Sequence, residues 1–114
     1  MQYDLEERTR KFAKDTINTI KNTKETNINR NIFSQLIRSV TSVGANYCEA
    51  NGASSKKDFT NKIYICKKEI KETKYWIEMF AEIEPNKKEE LRKLWKEAHE
   101  LTLIFGKISS TLRN

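Results

Sequence analysis

The sequence predicts an all-α fold, an antiparallel up-down-up-down four-helix bundle. Three observations carry that prediction. Apolar residues follow a strict seven-residue repeat in three long segments. Only 3 glycines and 1 proline punctuate 114 residues, too few for the many turns of an all-β chain. The links after the second and third segments are a few residues long, which makes sequential helices antiparallel neighbours. A seven-residue period belongs to helices packed at about +20°, as in most four-helix bundles.

The first helix is expected over about residues 3–22, with Leu5, Thr9, Phe12, Ala13, Ile17 and Ile20 on one face. It fades into Asn22-Thr23-Lys24-Glu25-Thr26-Asn27, a run of poor helix formers. The second is expected over about 29–51, carried by Phe33, Leu36, Val40, Val43, Tyr47 and Ala50, and ends near Gly52. The third is expected over about 55–83. Ser55-Lys56-Lys57-Asp58 reads as a capping box, with Ser55 as N-cap and Asp58 closing back onto it. Its stripe is Phe59, Ile63, Cys66, Ile70, Thr73, Ile77 and Phe80, and Pro85 stops it. The fourth is expected over about 86–111, with Leu91, Leu94, Ala98, Leu101, Phe105, Ile108 and Leu112 inward and Trp95 and Ile104 widening the stripe. Residues 1–114 then form a single domain, a size that supports one core.

Composition narrows the class further. With 37% hydrophobic and 33% charged residues of nearly balanced sign, the chain is not a disordered tail. Cys48 and Cys66 lack the pattern of a disulfide framework and are expected to be reduced, buried thiols. No apolar run approaches the roughly 18 residues of a membrane span. The opening Met-Gln-Tyr-Asp-Leu-Glu-Glu-Arg is charged, unlike a signal peptide, so a cytoplasmic protein with no membrane partner is expected.

Charge is spread unevenly. The 22 Lys and Arg against 16 Asp and Glu give a net charge of +6. Residues 1–31, 54–84 and 85–114 contribute +2, +1 and +3, while residues 32–53 hold only Arg38 and Glu49. The second helix therefore lacks a wet face, because Ile32, Ile37, Gly44, Ala45 and Cys48 spill beyond its stripe among Ser39, Thr41, Ser42 and Asn46. Interface centres are depleted in charge. A homo-oligomer is expected, with Ile37, Thr41, Gly44, Ala45 and Cys48 near the subunit contact; the other reading sinks this helix deep in its own bundle. Arg38 and Glu49 lie 11 residues apart, about 20° from the same side. Each needs a partner, and Glu69, Glu72 and Lys62 on the next helix are candidates. Arg38, Asn46, Glu49 and Glu69 are read as a polar pairing device that sets register, or as a polar site.

Little in the sequence speaks for catalysis. Gly44, Gly52 and Gly106 stand apart and form no phosphate loop. The single histidine, His99, is read as a surface residue, and His99, Cys48 and Cys66 do not have metal-ligand spacing. No enzyme, metal or cofactor is expected. Nucleic-acid binding is the sharper expectation. Lys57, Tyr64, Lys68, Lys71 and Tyr75 share one side of the third helix, where lysines would neutralise phosphates and tyrosines stack on unpaired bases. Lys88, Arg92 and Lys96 line up on the fourth helix, and Arg10, Lys14 and Lys21 on the first. Against this, Glu72, Glu78 and Glu82 interrupt a continuous basic face. The competing class is an adaptor whose assembly displays surfaces to a protein partner, its charge aiding solubility.

The stretch Gln35-Leu-Ile-Arg-Ser-Val-Thr-Ser-Val-Gly-Ala-Asn-Tyr-Cys-Glu-Ala-Asn, then Gly-Ala-Ser-Ser-Lys-Lys-Asp-Phe59, then Lys67-Lys-Glu-Ile-Lys-Glu-Thr-Lys-Tyr-Trp-Ile-Glu78, resembles a known family. It is similar to the four-helix bundle proteins encoded in intervening sequences of bacterial 23S ribosomal RNA genes. The resemblance spans nearly the whole chain and is weakest at about residues 23–31. It implies an up-down bundle that assembles into a ring, a pentamer. A related branch, the accessory protein of diversity-generating retroelements, implies a basic pentamer that binds RNA or DNA and a reverse transcriptase. Arg38, Asn46, Glu49, Ser55, Lys68, Glu69 and Trp76 fall at the family's motif positions, and the resemblance attaches no catalytic role to them.

Overall fold

The computed structural model describes residues 4–113. Four helices run in order: α1 (Leu5–Lys21), α2 (Arg30–Asn51), α3 (Lys56–Ile83) and α4 (Lys88–Leu112), with a 3-10 turn at Pro85–Lys87. They pack as the expected bundle, α2 against α3, α3 against α4, and α1 across α2 and α4. At 1.5 Å per residue the 28 residues of α3 span about 42 Å, which sets the 44 Å long axis. None of the four helices is long and apolar enough to cross a membrane.

Several boundaries have a local cause. Asp4 caps α1 by accepting from the Glu6 amide at 3.0 Å; residue 3, where the sequence places the start, lies outside the described residues. Ser55 Oγ accepts from the Asp58 amide at 3.0 Å, which is the forward half of the capping box. Pro85 ends α3 and opens the 3-10 turn, so α4 begins at Lys88 rather than at 86. The polar 22–29 link is ordered by Asn29. Its buried side chain accepts from the Thr26 amide at 2.7 Å and donates to the Lys24 carbonyl at 3.0 Å.

The core follows the heptads on α2, α3 and α4. Leu36, Val40, Val43, Ile63, Ile70, Phe80, Leu101 and Phe105 are fully buried. Phe33 tilts onto Phe80 with ring centroids 4.7 Å apart, and Tyr47 meets Phe105 edge-on at 5.8 Å.

On α1 the buried face differs from the expected one. Thr9 and Phe12 are buried as expected, but Thr16 and Thr19 join them, Leu5, Ala13 and Ile20 pack against the core only partly buried, and Ile17 stays half-exposed. Threonine can take these positions because its hydroxyl finds a partner in its own helix: Thr16 donates to the Phe12 carbonyl at 2.9 Å and Thr19 to the Asp15 carbonyl at 3.1 Å. The packed surface is small, which lets α1 lie close to α2 where Thr9 faces Gly44.

Candidate nucleic-acid interface and subunit contact

α3 turns its core residues towards the other helices and leaves Lys57, Tyr64, Lys68, Lys71 and Tyr75 on the opposite side. All five are exposed, Tyr64 at 40% and Tyr75 at 51%. Among the described residues none of the three lysines makes an ion pair. Two of the three interrupting carboxylates are engaged elsewhere. Glu72 accepts from the Trp76 indole at 3.1 Å and from Arg38, which together hold its carboxyl below the usual carboxylate range. Glu78 accepts from the Trp95 indole at 2.8 Å. Only Glu82 remains exposed beyond Tyr75 without such a bond among the described residues.

Lys88, Arg92 and Lys96 are exposed along α4, with Arg92 3.8 Å from Glu89. They border a groove of about 360 Å³ between α3 and α4, floored by Ile77, Ala81, Leu91 and Trp95. His99 is not the surface residue expected. It is half-buried and stacks on Trp95 with rings 5.1 Å apart and within 5° of parallel. Lys74 Nζ lies 3.1 Å from His99 Nδ1 and 5.0 Å from the Trp95 ring centre. Sequence reasoning missed this cluster because Trp95 read as stripe and His99 as surface; the signal available was two ring residues four apart on one helix.

The first helix places Arg10 and Lys14 apart from the α3 lysines. They line a groove of about 290 Å³ between α1 and α2 together with Thr41, Gly44, Ala45 and Cys48. Residues expected at two separate surfaces thus share one. Ile37, Thr41, Ala45 and Cys48 are exposed, so α2 is not sunk within its own bundle; its charge-poor side looks outward. Cys48 is exposed too, contrary to the expected pair of buried thiols, because it sits one residue past the Tyr47 stripe position, a 100° turn away. Cys66 is buried against the Val43 carbonyl at 3.5 Å, and burial pushes its thiol up to about 12.

The polar pairing residues fall into two groups. Arg38 reaches Glu69 at 3.1 Å and also bonds Glu72, tying α2 to α3, and its guanidinium is raised chiefly by the Glu72 bond. Glu69 is 7% exposed, so this carboxylate depends on its partner. Glu49 instead pairs with Lys62 at 2.7 Å. Asn46 turns back to its own helix, donating to Ser42 at 2.9 Å. A bridge the sequence did not suggest joins α1 to α4: Arg8 bonds Glu97 and Glu100, each at 2.7 Å, and is raised above its ordinary value chiefly by Glu97. Among the described residues no three His, Cys, Asp or Glu side chains gather as a metal site.

The family model of the 23S rRNA-intervening sequence protein matches residues 1–107, which takes in α1 to α3 and most of α4. The chain belongs to that family. The match of this 23S rRNA-intervening sequence protein family member runs through residues 23–31, where the resemblance in the residues is weakest. Its fold is similar to the crystal structure of a protein of unknown function from the S23 ribosomal protein family of Bacteroides thetaiotaomicron VPI-5482. The TM-score is 0.80 and the identity 30%, covering 93% of this chain and 98% of that one. No curated protein matches the chain.

Proposed function

We propose that this family member is a non-enzymatic, homo-oligomeric bundle protein that binds nucleic acid through its basic outer helix faces, foremost that of α3. The observation that carries the reading is the outward side of α3: three exposed lysines without ion pairs among the described residues, interleaved with two exposed tyrosines. Over 18 residues this side runs about 27 Å, long enough to follow several nucleotides. Of the carboxylates that interrupt this side, Glu72 is paired with the Arg38 cation, while Glu78 and Glu82 stand beyond Tyr75 at one end.

Assembly strengthens the reading. The exposed, uncharged Ile37, Thr41, Ala45 and Cys48 on α2 suit a contact with a second copy, and the resemblance in the residues implies a pentameric ring. A ring of like subunits would multiply the +6 of one chain into a field strong enough to gather a polyanion. The two unpaired cysteines suit a reducing compartment, and the cytoplasm is the one proposed.

The test is retention of a short single-stranded RNA or DNA as salt rises. Binding at about 50 mM salt that weakens steeply towards about 200 mM is expected. Replacing Lys68 and Lys71 by Glu should abolish it with helicity intact. Unchanged binding would move the site off α3. No binding even at low salt would leave the adaptor reading, in which the bundle meets only protein.

A further inference from the structure

The groove between α3 and α4 has a chemistry distinct from the α3 outer face. Ile77, Ala81, Leu91 and Trp95 make its floor apolar over about 360 Å³. Its two walls carry opposite charge. Lys88, Arg92 and Lys96 stand on the α4 side, each one helical turn from the next. Glu78 stands on the α3 side, and Glu82 continues that wall where the depression extends past Ala81 to Pro85.

We propose that this groove is a docking site for an amphipathic helix of a protein partner, its apolar stripe on the floor and its acidic flank against Lys88, Arg92 and Lys96. Helix-in-groove recognition needs an apolar trough to take residues spaced three and four apart. The three cations repeat about every 6 Å along α4, close to the 5.4 Å pitch at which a docked helix presents carboxylates one turn apart. Charge on both walls then fixes the direction of the docked helix, since reversal would set acid against Glu78 and Glu82.

A nucleic acid fits this groove poorly. A polyanion would meet Glu78 and Glu82 on one wall. Trp95 offers a base little to stack on or bond to, because its indole N–H is held by Glu78 and its ring already contacts His99 and Lys74. The floor presents no other polar group that could read a base edge.

The experiment uses the whole protein and two labelled synthetic helices of about 20 residues, followed by fluorescence anisotropy. Both carry one leucine stripe and a glutamine flank; the other flank is glutamate in one peptide and lysine in its control. The glutamate peptide should bind roughly tenfold or more tightly than the lysine peptide. The triple variant Lys88→Glu, Arg92→Glu, Lys96→Glu should reverse that order, while Lys68→Glu with Lys71→Glu should leave it unchanged. Arg92→Glu alone, at an exposed position, should narrow the preference and covers loss of helicity in the triple variant. Equal binding of the two peptides, or binding of neither, overturns the proposal. So does a labelled single-stranded oligonucleotide that loses affinity in the triple variant while the glutamate peptide does not, because the α4 cations would then be a phosphate contact.

Discussion

Gly106 lies inside α4 with nothing within 4 Å of where a side-chain carbon would stand. A helix-interior glycine costs about 0.5–1 kcal/mol relative to alanine, through backbone entropy. Gly106→Ala should therefore raise stability by about that amount in denaturant titrations. A loss instead would mean that something packs over this position. Gly44 is different, since an added carbon would touch Thr9 Oγ1 at 3.5 Å, an ordinary contact at the α1–α2 seam. At this scale pattern reading worked best for caps and heptads, as with Ser55 and the α3 stripe. It worked less well for Cys48, Ile17 and His99. Whether such a residue is covered depends on neighbours from other helices, and periodicity records only a residue's angle on its own.

α1 is attached differently from the other helices. Phe12 is its one large buried apolar side chain, where α3 buries Ile63, Cys66, Ile70, Ile77 and Phe80. The rest of its buried face is threonine, whose hydroxyls bond within the helix and add little apolar area. Arg8 ties α1 to α4 through Glu97 and Glu100, and this link is partly solvated. α1 should accordingly open first. Hydrogen exchange is expected to show its amides exchanging through a lower-energy opening than those of α2 and α3. Phe12→Ala should cost about 3–5 kcal/mol if α1 unfolds with the rest. Equal protection across all four helices would show that the bundle opens as one unit. The sequence revealed α1 as a helix, but not the rotation of its buried face, because threonine scores as neither core nor surface.

The whole molecule carries its charge around an uncharged strip on α2. If that strip meets another copy, Cys48 reports it. Burial leaves Cys66 protonated and shielded, so native protein should present one reactive thiol against two when denatured. Cys48 should label slowly at micromolar protein and faster on dilution, and Ala45→Glu should disperse the assembly and expose it. A chain that runs as a monomer with rapid Cys48 labelling at all concentrations would remove the α2 contact. The amino-acid sequence alone determined four helices, their antiparallel order and the charge gap at residues 32–53. Those properties are local: they follow from spacing along one helix and from the residues that start and stop it. Tertiary structure alone decided which faces meet. It joined Arg10 and Lys14 to the α2 strip, engaged Glu72 with Arg38 and Glu78 with Trp95, and built an apolar groove between opposite charges. Such juxtapositions depend on the axial register and rotation of one helix against another, which are set by packing summed over the whole core.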